Sequence, residues 1–277
     1  MQIYSPYIFL NKTGLPLGIR SKTWMGQPRD IAGASALVDD HLKEEPTPFM
    51  FSFASSDRRN KCFLRFGDSA WSKPLSFETV AADLEVLVDM PSGRQEVHTG
   101  LSYVEGVGKY KLSKVVTLSP RFMFKNNLGS TINFRQEHSE GFVHLTPGER
   151  APLHQLTKRQ GDPRVVIAYQ GVNEEWSAPF SIADIGRVHV TLDRPARDGH
   201  RPHRELVRVE VIIEGPIIFV QFSKETEPWP FRIQNETDME LDFCQTVSPP
   251  SYPSRLLCAR DLTPIFAFVA CAGRETV

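Results

Sequence analysis

No stretch of the 277-residue sequence approaches the ~18 consecutive apolar residues of a membrane-spanning helix. The opening MQIYSPYIFL has neither a basic n-region nor a long apolar core, so no secretory signal is expected there. Cysteine is scarce: Cys62, Cys244, Cys258 and Cys271 are irregularly spaced and form no C-x-x-C pair. They read as reduced, mostly structural thiols in a cytoplasmic setting, not as a disulfide frame or a zinc site. An excess of either charge is missing too, since 32 Lys and Arg against 33 Asp and Glu leave a net −1. That balance argues against a general nucleic-acid or anionic-membrane surface, which would need a clear basic excess.

Catalytic signatures are equally thin. The sequence has no G-x-S-x-G, H-E-x-x-H or Walker A motif. GVGKY at 106–110 contains Gly-Lys, but Tyr103 stands where the phosphate-binding loop needs its first glycine. His200 and His203 are three apart in an Arg-rich loop without a companion Cys or carboxylate pattern, so a surface loop is the better reading than a metal site. We expect no enzyme, no catalytic residue, no metal and no cofactor.

What is present is a period of two. DLEVLVD (83–89), RVHVTLD (187–193) and ELVRVEVIIEG (205–215) alternate, and the second and third gather Val188, Val190 and Leu192, then Val207, Val209, Val211 and Ile213, each on one face. Such β-branched alternation reads as half-buried strands. No capped amphipathic helix of more than three turns can be found, and 21 prolines with 18 glycines suit short strands and many turns. The predicted class is all-β, built from antiparallel β-sandwiches.

Two phrases recur. FLNKTGLPLGI (9–19), FKNNLGSTINF (124–134) and IQNETDMELDF (233–243) align Phe9, Phe124 and Ile233, then Asn11, Asn126 and Asn235. The alignment continues through Leu17, Ile132 and Leu241 to Ile19, Phe134 and Phe243. The asparagines fall 115 and 109 residues apart, too long for a solenoid unit and right for one small domain. The second phrase, WSKPLSF (71–77), returns as WSAPFSI (176–182). Its proline suggests a strand edge, and Trp71 and Trp176 are expected to be large core anchors. The order is the same both times, which predicts tandem repeats of about 110 residues. One runs over 1–117 and another over 118–226. Residues 227–247 start a third repeat or supply a closing strand, and 248–277 form a Pro/Ser-rich tail, docked or foreign to the domain. Each Asn precedes a turn sequence, so an Asx-turn accounts for the recurrence; the functional alternative is that its amide holds backbone forming a binding edge. Two of the three also fit N-x-[ST], but Asn126 shares the frame without a sequon, which disfavours glycosylation.

SPYIFLNKTGLPLGIRSK (5–22), the repeated Trp-Ser-x-Pro phrase and LSPRFMFKNNLGSTINFRQ (118–136) resemble the vacuolar protein sorting-associated protein 13 family. These are bridge-like lipid-transfer proteins, and the resemblance is to their repeat-built adaptor-binding domain, over about residues 4–245. It implies a non-catalytic module binding short Pro-x-Pro motifs of membrane-resident organelle adaptors. It also implies that the family's repeat asparagine falls on Asn11, Asn126 and Asn235. Partners would be Pro-x-Pro peptides, with no nucleic acid and with membranes reached only through adaptors. The chain would be a monomer, peripheral at contact sites of the endosome or vacuole, mitochondrion and endoplasmic reticulum. Phe231, Ile233, Met239, Leu241 and Phe243 offer an alternating face for a peptide groove, although the same residues also suit a core. Two other readings are a phosphoinositide- or lipid-binding module using loop 194–204, and a structural spacer without ligand.

Overall fold

The computed structural model describes residues 4–22, 28–30, 47–53, 60–78, 82–158, 161–171, 176–194, 203–226, 232–234, 241–243, 255–257 and 262–264. Among them the chain is all-β, its one helical turn being a 3-10 turn at Gly108–Tyr110. The strands of the first half are β1 (Tyr7–Asn11), β2 (Leu17–Lys22), β3 (Pro28–Asp30), β4 (Phe49–Phe51), β5 (Cys62–Phe66), β6 (Ala82–Asp89), β7 (Gln95–Glu105) and β8 (Lys114–Pro120). Next come β9 (Phe122–Asn126), β10 (Ile132–Gln136), β11 (Val143–Leu145), β12 (Arg150–Leu153), β13 (Gln155–Thr157), β14 (Arg164–Tyr169), β15 (Phe180–Ser181), β16 (Gly186–Arg194), β17 (His203–Glu214) and β18 (Ile217–Lys224). The last four are β19 (Arg232–Gln234), β20 (Leu241–Phe243), β21 (Arg255–Leu257) and β22 (Leu262–Pro264).

The chain divides into two compact units that do not follow chain order. One is 1–124 with 150–163 and 212–220; the other is 125–149, 164–211 and 221–277. In the first unit a sheet ordered β13-β7-β8-β1-β4, with β6 also on β7, packs on a smaller sheet, β3-β2-β5. Phe9, Val88, Leu101 and Leu118 from the large sheet meet Ile19, Leu64 and Phe66 from the small one, with Phe77 between T-shaped ring partners Phe9 and Tyr103. The ladders of these two sheets are antiparallel except one. β1 runs parallel to β8, with Tyr7 opposite Lys114 and Asn11 opposite Leu118. Strand β13 adds to β7, Gln155 facing Val97, which is why 150–163 belongs to this unit.

In the second unit the small sheet is β11-β10-β14-β15. Ile132, Phe134, Val165 and Ile167 turn inward towards Val190, Leu192, Val207 and Val209 of the β16–β17 ladder, all nearly inaccessible. The inward faces of the period-two runs are the ones their alternation predicts. They extend past the core at their ends, where Leu84, Val188 and Ile213 are exposed.

Candidate functional site

Asn11 and Asn126 each close a turn in the same way. The Asn126 Oδ1 accepts the Leu128 N–H at 2.9 Å, and its Nδ2 donates to the Ser130 carbonyl at 2.9 Å and the Leu145 carbonyl at 2.8 Å. The Asn11 Oδ1 accepts the Thr13 N–H at 3.1 Å and the Thr13 hydroxyl at 2.7 Å, while Nδ2 donates to the Leu15 carbonyl at 2.8 Å. Both side chains are buried and their amides are occupied by the chain itself. They hold the backbone of their own turns. Asn235, Phe231 and Met239 lie outside the described residues. Ile233 sits on β19 opposite Thr263, and Leu241 and Phe243 sit on β20 opposite Leu257 and Arg255.

The second phrase is also a clamp. The Ser72 hydroxyl accepts the Leu64 N–H at 3.0 Å and donates to the Lys73 carbonyl at 2.8 Å. Ser177 repeats this with the Ile167 N–H at 3.1 Å and the Ala178 carbonyl at 2.9 Å. The preceding tryptophans do not anchor the core, contrary to expectation. Both are half-buried. The Arg20 guanidinium lies 4.0 Å over Trp71 and that of Arg135 lies 4.3 Å over Trp176. The reason is the strand period. In β10, Ile132, Phe134 and Gln136 face inward, which sends Asn133 and Arg135 to the opposite face. An indole beside that face gains more from a guanidinium over its ring than from a core already filled by phenylalanines. The signal for this pair was in the sequence, since both arginines stand nine residues after the repeated Asn.

The two platforms differ. Trp71 also has Arg65 over it at 5.1 Å. Arg65 faces Gly18 across the β2–β5 ladder, and the matching pair across β10–β14 is Ala168 and Asn133. Without a second arginine, Trp176 is approached by Phe142, ring centroids 6.1 Å apart, and Phe142 is T-shaped to His144 at 5.1 Å. His144 Nδ1 in turn meets Asn133 Oδ1 at 2.7 Å. Phe142 is 48% exposed, and it precedes β11, the outermost strand of its sheet. The result is an aromatic surface of Phe142, His144 and Trp176, capped by one cation, beside a strand edge. Such a surface can accept the apolar rings of prolines while the edge offers backbone hydrogen bonds to an extended chain. Among the described residues no cluster of three or more His, Cys, Asp or Glu is placed to hold a metal ion.

Residues 1–266 match the family model described as vacuolar-sorting associated protein 13, adaptor binding domain. The chain is similar to the intermembrane lipid transfer protein VPS13 of Chaetomium thermophilum, 41% identical over 244 residues, covering 88% of this chain and 7% of that protein. Human intermembrane lipid transfer protein VPS13D is 24% identical over 264 residues, covering 88% of this chain and 6% of its own length. The vps13E protein of Dictyostelium discoideum is 26% identical over 235 residues, 76% of this chain and 6% of that protein. The chain therefore spans less than a tenth of the length of these curated relatives.

Proposed function

Because the chain belongs to the adaptor-binding domain family of vacuolar-sorting associated protein 13, we propose that it is a non-catalytic module that recognises short Pro-x-Pro motifs. Its partners are membrane-resident adaptors, and their capture sends a lipid-transfer protein to organelle contact sites, on the endosome or vacuole, the mitochondrion and the endoplasmic reticulum. The module works as a monomer. The observation that carries this reading is the exposed Phe142–Trp176 surface beside β11. A proline-bearing peptide is already extended, so less conformational freedom is lost when it docks. Competition among adaptors of micromolar affinity then sets the destination.

The third copy of the Asn phrase enters the same proposal. β20 pairs with β21 as β2 pairs with β3 and β10 with β11, and β19 pairs with β22 as β1 pairs with β4. This parallel supports 227–247 as the start of a third repeat whose ladders take in 255–257 and 262–264, with the tail docked and not foreign. Ile233, Leu241 and Phe243 then have a second candidate groove, while the repeats 1–117 and 118–226 keep their boundaries. The lipid-binding alternative through loop 194–204 falls on residues of which only Arg194 and His203–Arg204 are described, as backbone.

The test is fluorescence anisotropy of a labelled Pro-x-Pro adaptor peptide titrated with the whole chain. The expected result is saturable micromolar binding, weakened about tenfold or more in Phe142→Ala/Trp176→Ala, given that stacking residues at hot spots are worth ~2 kcal/mol. Circular dichroism checks that the variant folds. Binding unmoved by that variant but lost in Leu241→Ala/Phe243→Ala would shift the groove to the third repeat. No binding by the folded parent would leave a spacer and overturn the reading.

A further inference from the structure

A second exposed feature lies at the β7–β8 hairpin, where the sequence has the Gly-Lys that fails as a phosphate loop. Residues 106–113 form a closed, ordered turn. The Gly106 N–H donates to the Ser113 carbonyl at 2.8 Å, the Ser113 N–H to the Tyr110 carbonyl at 2.8 Å, and the Tyr110 N–H to the Val107 carbonyl at 3.1 Å. Two glycines are required. A Cβ on Gly106 would lie 2.1 Å from the Tyr110 oxygen, and Gly108 has φ +58°. What this turn presents is apolar and basic. Val107 is 82% exposed and Leu112 48%, with Lys109 and Lys111 exposed between them. Tyr4 is brought to the same end, because the Pro6 carbonyl accepts the Lys114 N–H at 2.8 Å, and it is 57% exposed. Lys114 is engaged by the Phe77 carbonyl and by Glu105. No carboxylate pairs with Lys109 or Lys111 among the described residues, and Lys109 sits 5.0 Å from the Tyr110 ring centroid.

We propose that this hairpin tip is a direct contact for an anionic membrane surface, with Val107 and Leu112 entering the boundary between headgroups and acyl chains while Lys109 and Lys111 meet lipid phosphates and carboxylates. A hairpin tip is convex, which suits a bilayer surface and not the capture of an extended peptide. Apolar side chains flanked by lysines are the composition of interfacial anchors, in which burial and charge attraction add. The structure exposes both apolar residues from a rigid turn, so little ordering entropy is lost on insertion. One such tip is a weak anchor by itself. Its effect is to add to adaptor capture by holding the same protein at the same membrane. This inference is independent of the peptide site.

The experiment is flotation of the whole chain with phosphatidylcholine vesicles, with and without phosphatidylserine. Binding is expected only with phosphatidylserine and is expected to fall with salt. Lys109→Glu/Lys111→Glu should reduce it at least tenfold, because each lysine near an anionic leaflet contributes about fivefold. Val107→Ser/Leu112→Ser should weaken binding while preserving its salt dependence. The thermal melt of each variant should match the parent, since these side chains are exposed, and so should its Pro-x-Pro peptide titration. No flotation by the parent, or flotation unmoved by both pairs, would overturn the membrane contact and leave a protein partner for the tip. A failed peptide titration with intact flotation would count against the adaptor site alone.

Discussion

At the scale of single residues, Asn126 shows how one side chain can hold a turn. Its amide reaches the second and fourth residues of its own turn and, beyond them, the Leu145 carbonyl on β11. The first contact was legible in the sequence, because Asn bonding its own backbone two residues on is a local rule. The third was not, because nothing in a one-dimensional string places residue 145 beside 126. Asn126→Ala would remove three hydrogen bonds, to the Leu128 N–H and the Ser130 and Leu145 carbonyls, at about 1–3 kcal/mol for each group that water cannot reach. We expect a loss of ~3 kcal/mol by urea denaturation. Asn11→Ala should cost less, since the Thr13 hydroxyl also accepts the Leu15 N–H and remains to order the turn. Equal losses at the two positions would contradict this account. The tryptophans were misplaced for a related reason. Hydrophobicity says that an indole leaves water; the arginines recur nine residues after each Asn, and the ladder sets Arg20 and Arg135 over the rings.

At the scale of elements, the sequence identified strands and faces well and partners poorly. Alternation assigned Val207, Val209 and Val211 to one buried face. It could not show that β1 pairs in parallel with β8, or that β13 joins β7, because both are choices among edges and not properties of one strand. Close approach is similarly invisible. Gly100 in β7 looks like a weak point in a strand, yet a Cβ there would lie 2.5 Å from the Pro216 carbonyl oxygen of the β17–β18 turn. The Arg121 guanidinium donates to that same oxygen at 2.8 Å, so the turn is held and cannot simply retreat. Gly100→Ala should therefore destabilise by about 1–3 kcal/mol through overpacking, measured by chemical denaturation. Gly129→Ala is the control, with nothing within 4 Å of its Cβ and no positive φ. If the control is as costly as Gly100→Ala, close packing is not the reason for glycine at position 100.

At the scale of the whole molecule, acid is the condition that should test its buried ionisable groups. Burial pushes the His154 imidazole down from 6.5 to about 4, and its Nδ1 has no hydrogen-bond partner among the described residues. The folded chain therefore refuses a proton that the unfolded chain accepts. Stability must fall as pH drops from 6.5 towards 4, because across that window the unfolded state binds more protons. Glu85 acts lower. Its hydrogen bond from His98, then the charges of His98 and Arg121, hold its carboxyl below the usual 4.5 against a desolvation penalty. The stability it contributes is present above 4.5 and is lost as pH falls through its depressed value. The melting temperature should consequently decline in two stages, one beginning near pH 6.5 and a second below 4.5. His154→Gln should flatten the first stage and leave the second, whereas Glu85→Gln should spare the first and only reduce the second, which Glu225 and Glu149, also held below 4.5, share. Nuclear magnetic resonance titration of the His154 ring provides the independent check, because a midpoint near 6.5 in the folded chain would remove the first stage from the argument. Between pH 7 and 6.5 neither group changes state in the fold, so loss of vesicle or peptide binding there would have to come from the binding surfaces themselves.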